Sequence, residues 1–195
     1  MSASVWHEEV YAGFREEIQK TVRIKNAKGE LVPLPKPEKS IVVRKPEEDF
    51  KFEVFPCVSI YIKDYKHDSF RYDPRPTYTI LREKRMLEVE ECAVPFNLAV
   101  QIDFWARFQE DMDAMTHSWL MKHFRQFNLS VVDSGGTPRT QNTIAVGNIV
   151  KSDLVLNKER LFHSIANYSI WVEIDDEVKY NVPMAESIDI DVHQI

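Results

Sequence analysis

The sequence predicts an α+β fold: a mixed or antiparallel β-sheet with one or two helices packed on a face, plus extended arms. Three observations carry this. Apolar residues alternate with polar ones around residues 58–63 and 98–105, the mark of half-buried strands. They recur every three or four residues around 6–18 and 108–124, the mark of amphipathic helices. From residue 94 onward the order reads strand, helix, strand, loop, strand, strand, which places a helix on a sheet rather than in a regular βαβ series.

The chain of 195 residues is 44% hydrophobic, enough for one sizeable core. It reads as a single domain, 1–195, in three parts. Residues 1–50 form an N-terminal helix and a hairpin or extended arm, 51–175 a core of sheet and helix, and 176–195 an acidic C-terminal arm. Trp6, Val10, Phe14 and Ile18 recur every four residues, so a helix is predicted over 4–19. In "TVRIKNAKGELVPL" a hairpin follows, with Asn26 to Gly29 as turn residues. The prolines of "PLPKPEKS" remove backbone donors, so this stretch is expected to be an extended connector.

Val58, Ile60 and Ile62 then alternate with Ser59, Tyr61 and Lys63, which predicts a strand with one buried face. "HDSFRYDPRPT" reads as a loop, and "YTILREKRMLEVEE" as a strand or hairpin whose charges, Arg82 to Arg85, lie on a solvated turn or face. Leu98, Val100, Ile102 and Phe104 form one face of the next strand, with Gln101, Asp103 and Trp105 on the other. A helix follows with a Phe108, Met112, Met115, Trp119 stripe that broadens to Leu120, Phe124 and Phe127. Glu110 and Asp111 sit in its first turn and Lys122, His123 and Arg125 in its last, matching the macrodipole, with Asn128 as a left-handed cap. Next come a short strand "LSVVD", a polar loop "SGGTPRTQN" and a strand "TIAVGNIV". A long strand near 160–174 turns Tyr168, Ile170, Val172 and Ile174 one way and Ser169, Trp171 and Glu173 the other.

Charge narrows the functional classes. Net charge is −6, which disfavours general nucleic-acid binding, since phosphate neutralisation needs clustered bases. Residues 173–195 hold seven acids against Lys179 alone, so this tail accounts for the whole imbalance. Residues 20–51 hold nine bases and five acids. No apolar run approaches the roughly 18–20 residues of a membrane span, and "MSASVWHEEV" lacks the basic and apolar regions of a signal peptide. Cys57 and Cys92 lie in strand-like contexts and read as reduced, buried thiols.

Motifs for chemistry are sparse. Asp113 and His117, at i and i+4, share a helix face and could supply two metal ligands, but a third is needed; a solvated polar face is the alternative. His117 and His123 point in different directions, which suits ordinary surface roles. "DSGG" at Asp133 lacks the Lys and following helix of a P-loop and reads as a hairpin loop. G-x-S-x-G, H-E-x-x-H and C-x-x-C do not occur. The expectation is a protein that is not an enzyme and takes no cofactor or metal.

The stretch "VPFNLAVQIDFWARFQEDMDAM" resembles tail-completion proteins of contractile-tailed bacteriophages: a Pro-aromatic-Asn-Leu strand start, a strand ending in an aromatic and Arg, then a helix opening on "QED". "FPCVSIYIKDY" and "FHSIANYSIWVEIDD" are similar to flanking strands of the wider tail-terminator class, so the resemblance covers about residues 52–175. It implies a virion structural protein of the tail or neck, assembled in the host cytoplasm. Such a protein forms a homo-hexameric ring that caps the tail tube or sheath and contacts tube, sheath and neck proteins. It has no catalytic residues, no direct nucleic-acid recognition and no membrane association. Head-completion, neck or baseplate adaptors remain the alternative, and an enzyme with an unfamiliar site a distant third.

A ring needs two different patches of one chain to meet. The basic 20–51 region, with Arg44 and Lys45, and the acidic tail, with Asp175 and Asp176, are the candidate patches. In "ESIDIDVHQI", Ile188, Ile190 and Val192 alternate with Asp189, Asp191 and His193, a strand pattern suited to pairing with a neighbouring subunit's sheet or to folding back on its own domain. Loops 64–77 and 133–143 offer Arg71, Arg75 and Arg139 as contacts for tube, sheath or neck.

Overall fold

The computed structural model describes residues 4–43, 54–72, 75, 77–81, 84, 86–90, 94–132, 136, 138–156, 159–174 and 179–183. It is an α+β structure of two compact units, 1–67 with 96–172, and 68–95 with 173–195.

The first unit opens with α1, Ser4–Thr21, whose buried stripe is Val10, Phe14 and Ile18. β1 (Arg23–Lys25) and β2 (Leu31–Pro33) form the expected hairpin. Asn26 Oδ1 accepts from the Lys28 and Glu30 amides, and Gly29 takes φ 80°, a conformation open to glycine. The proline-rich connector differs from expectation, because Pro37–Ser40 makes one helical turn, α2. Pro37 lies in the first turn, where its missing N–H costs nothing, and the Ser40 hydroxyl donates to the Pro35 carbonyl.

β3 (Ile41–Val43), β4 (Cys57–His67), β7 (Val94–Ala106), β12 (Glu159–Ile174), β9 (Pro138–Ala145) and β8 (Gln126–Val132) form the large sheet in that spatial order. β3 runs parallel to β4, while β4 with β7, β12 with β9, and β8 with β9 are antiparallel. Lys63 has no partner in β7, a one-residue bulge, and the Ile62 amide beside it donates to Tyr11 Oη of α1 at 3.1 Å. One edge of β12 is taken in turn by β9, β10 (Val150–Lys151) and β11 (Leu154–Leu156). Between the first two, residues 146–149 oppose only residues 166 and 167, and Gly147 takes φ 76° to absorb the excess.

α3, Gln109–His123, joins α1 on one face of this sheet. Met112, Met115 and Trp119 meet Phe14, Ile18, Ile60, Ile102, Phe104 and Ile170 in a single core. Phe108 and Phe124, assigned to the buried stripe from periodicity, are 69% and 64% exposed because they flank the helix at its N- and C-caps. Asn128 is no helix cap: the chain leaves α3 through Phe124 in right-handed conformation, and Asn128 pairs with Asn142 within β8 and β9. The expected polar loop 134–142 is correspondingly shorter, since β9 already begins at Pro138.

In the second unit β13 (Lys179–Pro183), β6 (Met86–Glu90) and β5 (Thr77–Leu81) form a three-stranded antiparallel sheet with β6 in the centre. "YTILREKRMLEVEE" is thus a hairpin, its register closing at Leu81 opposite Met86.

Candidate functional sites

The two faces of the large sheet carry different chemistry. Facing the helices are the aliphatic positions of β4, β7 and β12. On the other face, Ser59 of β4 lies directly opposite Asp103 of β7, and Cys57 opposite Trp105. Alternation placed Ser59, Gln101, Asp103 and Trp105 opposite the aliphatic face, and the structure buries all four together with His163. Asp103 is the hub. Its Oδ1 accepts from Gln101 Nε2 at 2.6 Å, its Oδ2 from Ser59 Oγ at 3.3 Å, and His163 Nε2 stands 3.4 Å from Oδ1. The His163 ring stacks on Trp105 with centroids 3.6 Å apart and planes 8° from parallel.

Ser, Asp and His suggest a hydrolase, but the connections are wrong for one. A serine nucleophile needs a base that accepts its proton, whereas the Ser59 hydroxyl donates to the carboxylate and accepts from Trp105 Nε1 at 3.4 Å. Ser59 is also fully buried, which closes it to a substrate. This cluster serves to hold three long strands in register. Cys57 beside it is an inert thiol, its pKa pushed up to about 12 by burial.

A second polar group ties the helices together. His123, expected at the surface, is 2% exposed and packs on Trp119 with ring centroids 3.9 Å apart. Its Nδ1 lies 3.1 Å from the Trp119 carbonyl and its Nε2 3.0 Å from Glu17 Oε1 of α1. Trp119 Nε1 donates to Tyr168 Oη at 2.6 Å, and Tyr168 donates to the His123 carbonyl at 3.3 Å. Burial pushes the Tyr168 phenol up to about 12, so it stays a neutral donor. Burial likewise pulls the His123 imidazole below its usual 6.5, against the pull of Glu17 toward the charged form.

Beside this group a half-open groove of about 310 Å³ is lined by Leu120, Phe124, Ala145, Ile149, Ala166 and Asn167, among others. Asn167 Oδ1 is buried without a hydrogen-bond partner. Gly147, Asn148 and Ile149, where pairing with β12 is interrupted, line this groove, although "TIAVGNIV" reads as one continuous strand.

Asp113 and His117 have no third candidate ligand grouped with them among the described residues. Asp113 Oδ1 accepts from Gln109 Nε2 at 2.8 Å and lies 3.5 Å from Lys151 Nζ, and His117 is exposed. Among the described residues no three His, Cys, Asp or Glu side chains are grouped to hold a metal ion. No described helix is long and apolar enough to cross a membrane.

No protein-family model matches this chain, and no curated protein is significantly similar to it.

Of the residues expected to contact partners, Arg71 and Arg75 are exposed in the second unit, Arg71 Nε donating to Asp68 Oδ2 at 2.7 Å. Arg139 is exposed in the first unit, on strand β9 rather than in a loop. Arg44, Lys45, Asp175, Asp176, Ile188, Ile190 and Val192 lie outside the described residues.

The second unit also carries an apolar surface. Tyr78 and Ile80 of β5 share a sheet face with their cross-strand partners Val89 and Leu87 of β6 and with Val182 of β13. Val89 at the centre is buried, but Tyr78 is 62%, Ile80 54% and Val182 38% exposed. Thr79 and Glu88 lie on the opposite face. The alternation is legible in "TYTIL".

Proposed function

We propose that this chain is a structural virion protein of a contractile-tailed phage, a tail terminator or completion factor. It forms a six-fold ring that caps the tube or sheath and joins it to the neck. The observation that carries the reading is the apolar face of the three-stranded sheet. A single layer with one apolar side needs a covering layer, and exposed Tyr, Ile and Val on that side suit a protein partner. The resemblance of residues 94–115 to tail-completion proteins supports the same reading, and the segment folds as the expected strand β7 followed by helix α3. The buried clusters on both faces of the large sheet serve stability, which fits a building block that performs no turnover. Arg71, Arg75 and Arg139 are the proposed contacts to tube, sheath or neck.

Light scattering across a concentration series, with negative-stain imaging of the same samples, tests the reading. The expected result is closed rings with about six times the 22.9 kDa protomer mass. Monomers at every concentration, or open chains without closure, would overturn it.

A further inference from the structure

The small sheet has an asymmetry that points to a specific occupant. Its order is β13, β6, β5, so β13 and β5 are its two edges among the described residues. Exposure on the apolar face increases from Val89 in the centre to Ile80 and Tyr78 on β5, where it exceeds that of Val182 on β13. The missing cover is therefore greatest at β5. β5 itself, Thr-Tyr-Thr-Ile-Leu, consists of β-branched and aromatic residues with Leu, and lacks the charge or proline that protects an edge.

Charge narrows the choice of occupant. Residues 68–85, which run into and out of β5, hold five bases against three acids, and Arg75 and Lys84 flank the strand exposed. The twelve residues after β13, 184–195, hold three acids and no Lys or Arg, and alternate Ile188, Ile190 and Val192 with Asp189 and Asp191. A strand with that alternation, laid along β5, extends the apolar face with its aliphatic side chains and sets its acids beside Thr79 and the flanking bases.

We infer that β5 is the acceptor edge for the C-terminal segment, residues 184–195, of a second copy of this chain. This rests on the ring reading above. Residues 184–195 follow β13 in sequence and β5 lies on the far side of β6 from it, so a hairpin return within one chain pairs with the β13 edge and leaves β5 for a neighbour's segment. Donor and acceptor are different patches, and the contact is the head-to-tail kind that closes a ring.

Disulfide trapping tests this. Thr79→Cys protein carrying a mass tag is mixed with untagged Asp189→Cys or Asp191→Cys protein, assembled and oxidised. Untagged donor with Thr140→Cys on β9 serves as the control. A hybrid band of tagged plus untagged mass, formed with Thr79→Cys and not with Thr140→Cys, is the expected result. Deleting residues 184–195 is expected to abolish rings while leaving the circular dichroism of the monomer unchanged. Rings that form without the hybrid band, or that survive the deletion, overturn the acceptor assignment and leave the ring reading standing. A full-length chain that never assembles overturns both.

Discussion

His123 shows how burial sets the behaviour of a single side chain. Both ring nitrogens face oxygen, yet burial dominates and its pKa falls below 6.5. The unfolded chain therefore takes up a proton near pH 6.5 that the native state refuses until lower pH. Stability attributable to this group is complete above that value and is lost as pH falls through it toward the lowered folded pKa. Urea midpoints measured at pH 7.5 and 5.5 should fall for the native chain, and fall less for His123→Gln. Equal losses in the two would assign the pH dependence elsewhere. Asp103 makes the complementary case: Asp103→Ala strands the Gln101 amide and the Ser59 hydroxyl in a buried site, and should cost about 2–3 kcal/mol in denaturant unfolding.

At the scale of elements, α1 lies so close to β8 that one position has no room for a side chain. A Cβ on Gly13 would come 2.7 Å from the Ser130 carbonyl oxygen and 2.9 Å from Val131 Cγ1. Elsewhere in a helix, Gly→Ala gains about 1 kcal/mol of propensity. Here the clash should reverse the sign, so that Gly13→Ala lowers stability by about 1–2 kcal/mol through overpacking. A gain in melting temperature would show that α1 docks less closely. Gly13 also marks where sequence reading stops. The four-residue recurrence located α1, and the change of period located β7 and α3, because each depends on local spacing. The burial of Ser59, Asp103 and His163 did not follow from period two, because residues on both sheet faces are buried here and alternation can only distinguish the faces. α2 is not legible from its prolines, because prolines that exclude a central strand also permit a first helical turn. The exposed Tyr78 and Ile80 face was legible as alternation, but its meaning depended on finding β5 at an edge.

At the scale of the whole molecule, the charge distribution and the apolar edge make opposite predictions about salt. The net −6 resides in residues 173–195, while the sequence around β5 is basic. If the tail of one protomer is drawn to the edge of the next by charge, association should weaken as ionic strength rises from about 0.1 M to about 1 M and the Debye length shrinks from about 10 Å to about 3 Å. If apolar burial alone drives it, salt should leave association unchanged or strengthen it. Hydrogen exchange locates the effect in the chain. Amides of Thr77–Leu81 should exchange faster in dilute monomer than those of β4 and β7, which are paired inside the large sheet, and should slow selectively on assembly at low salt. Protection that instead appears along β3 or β8, the outer strands of the large sheet, would move the contact to that sheet and away from β5.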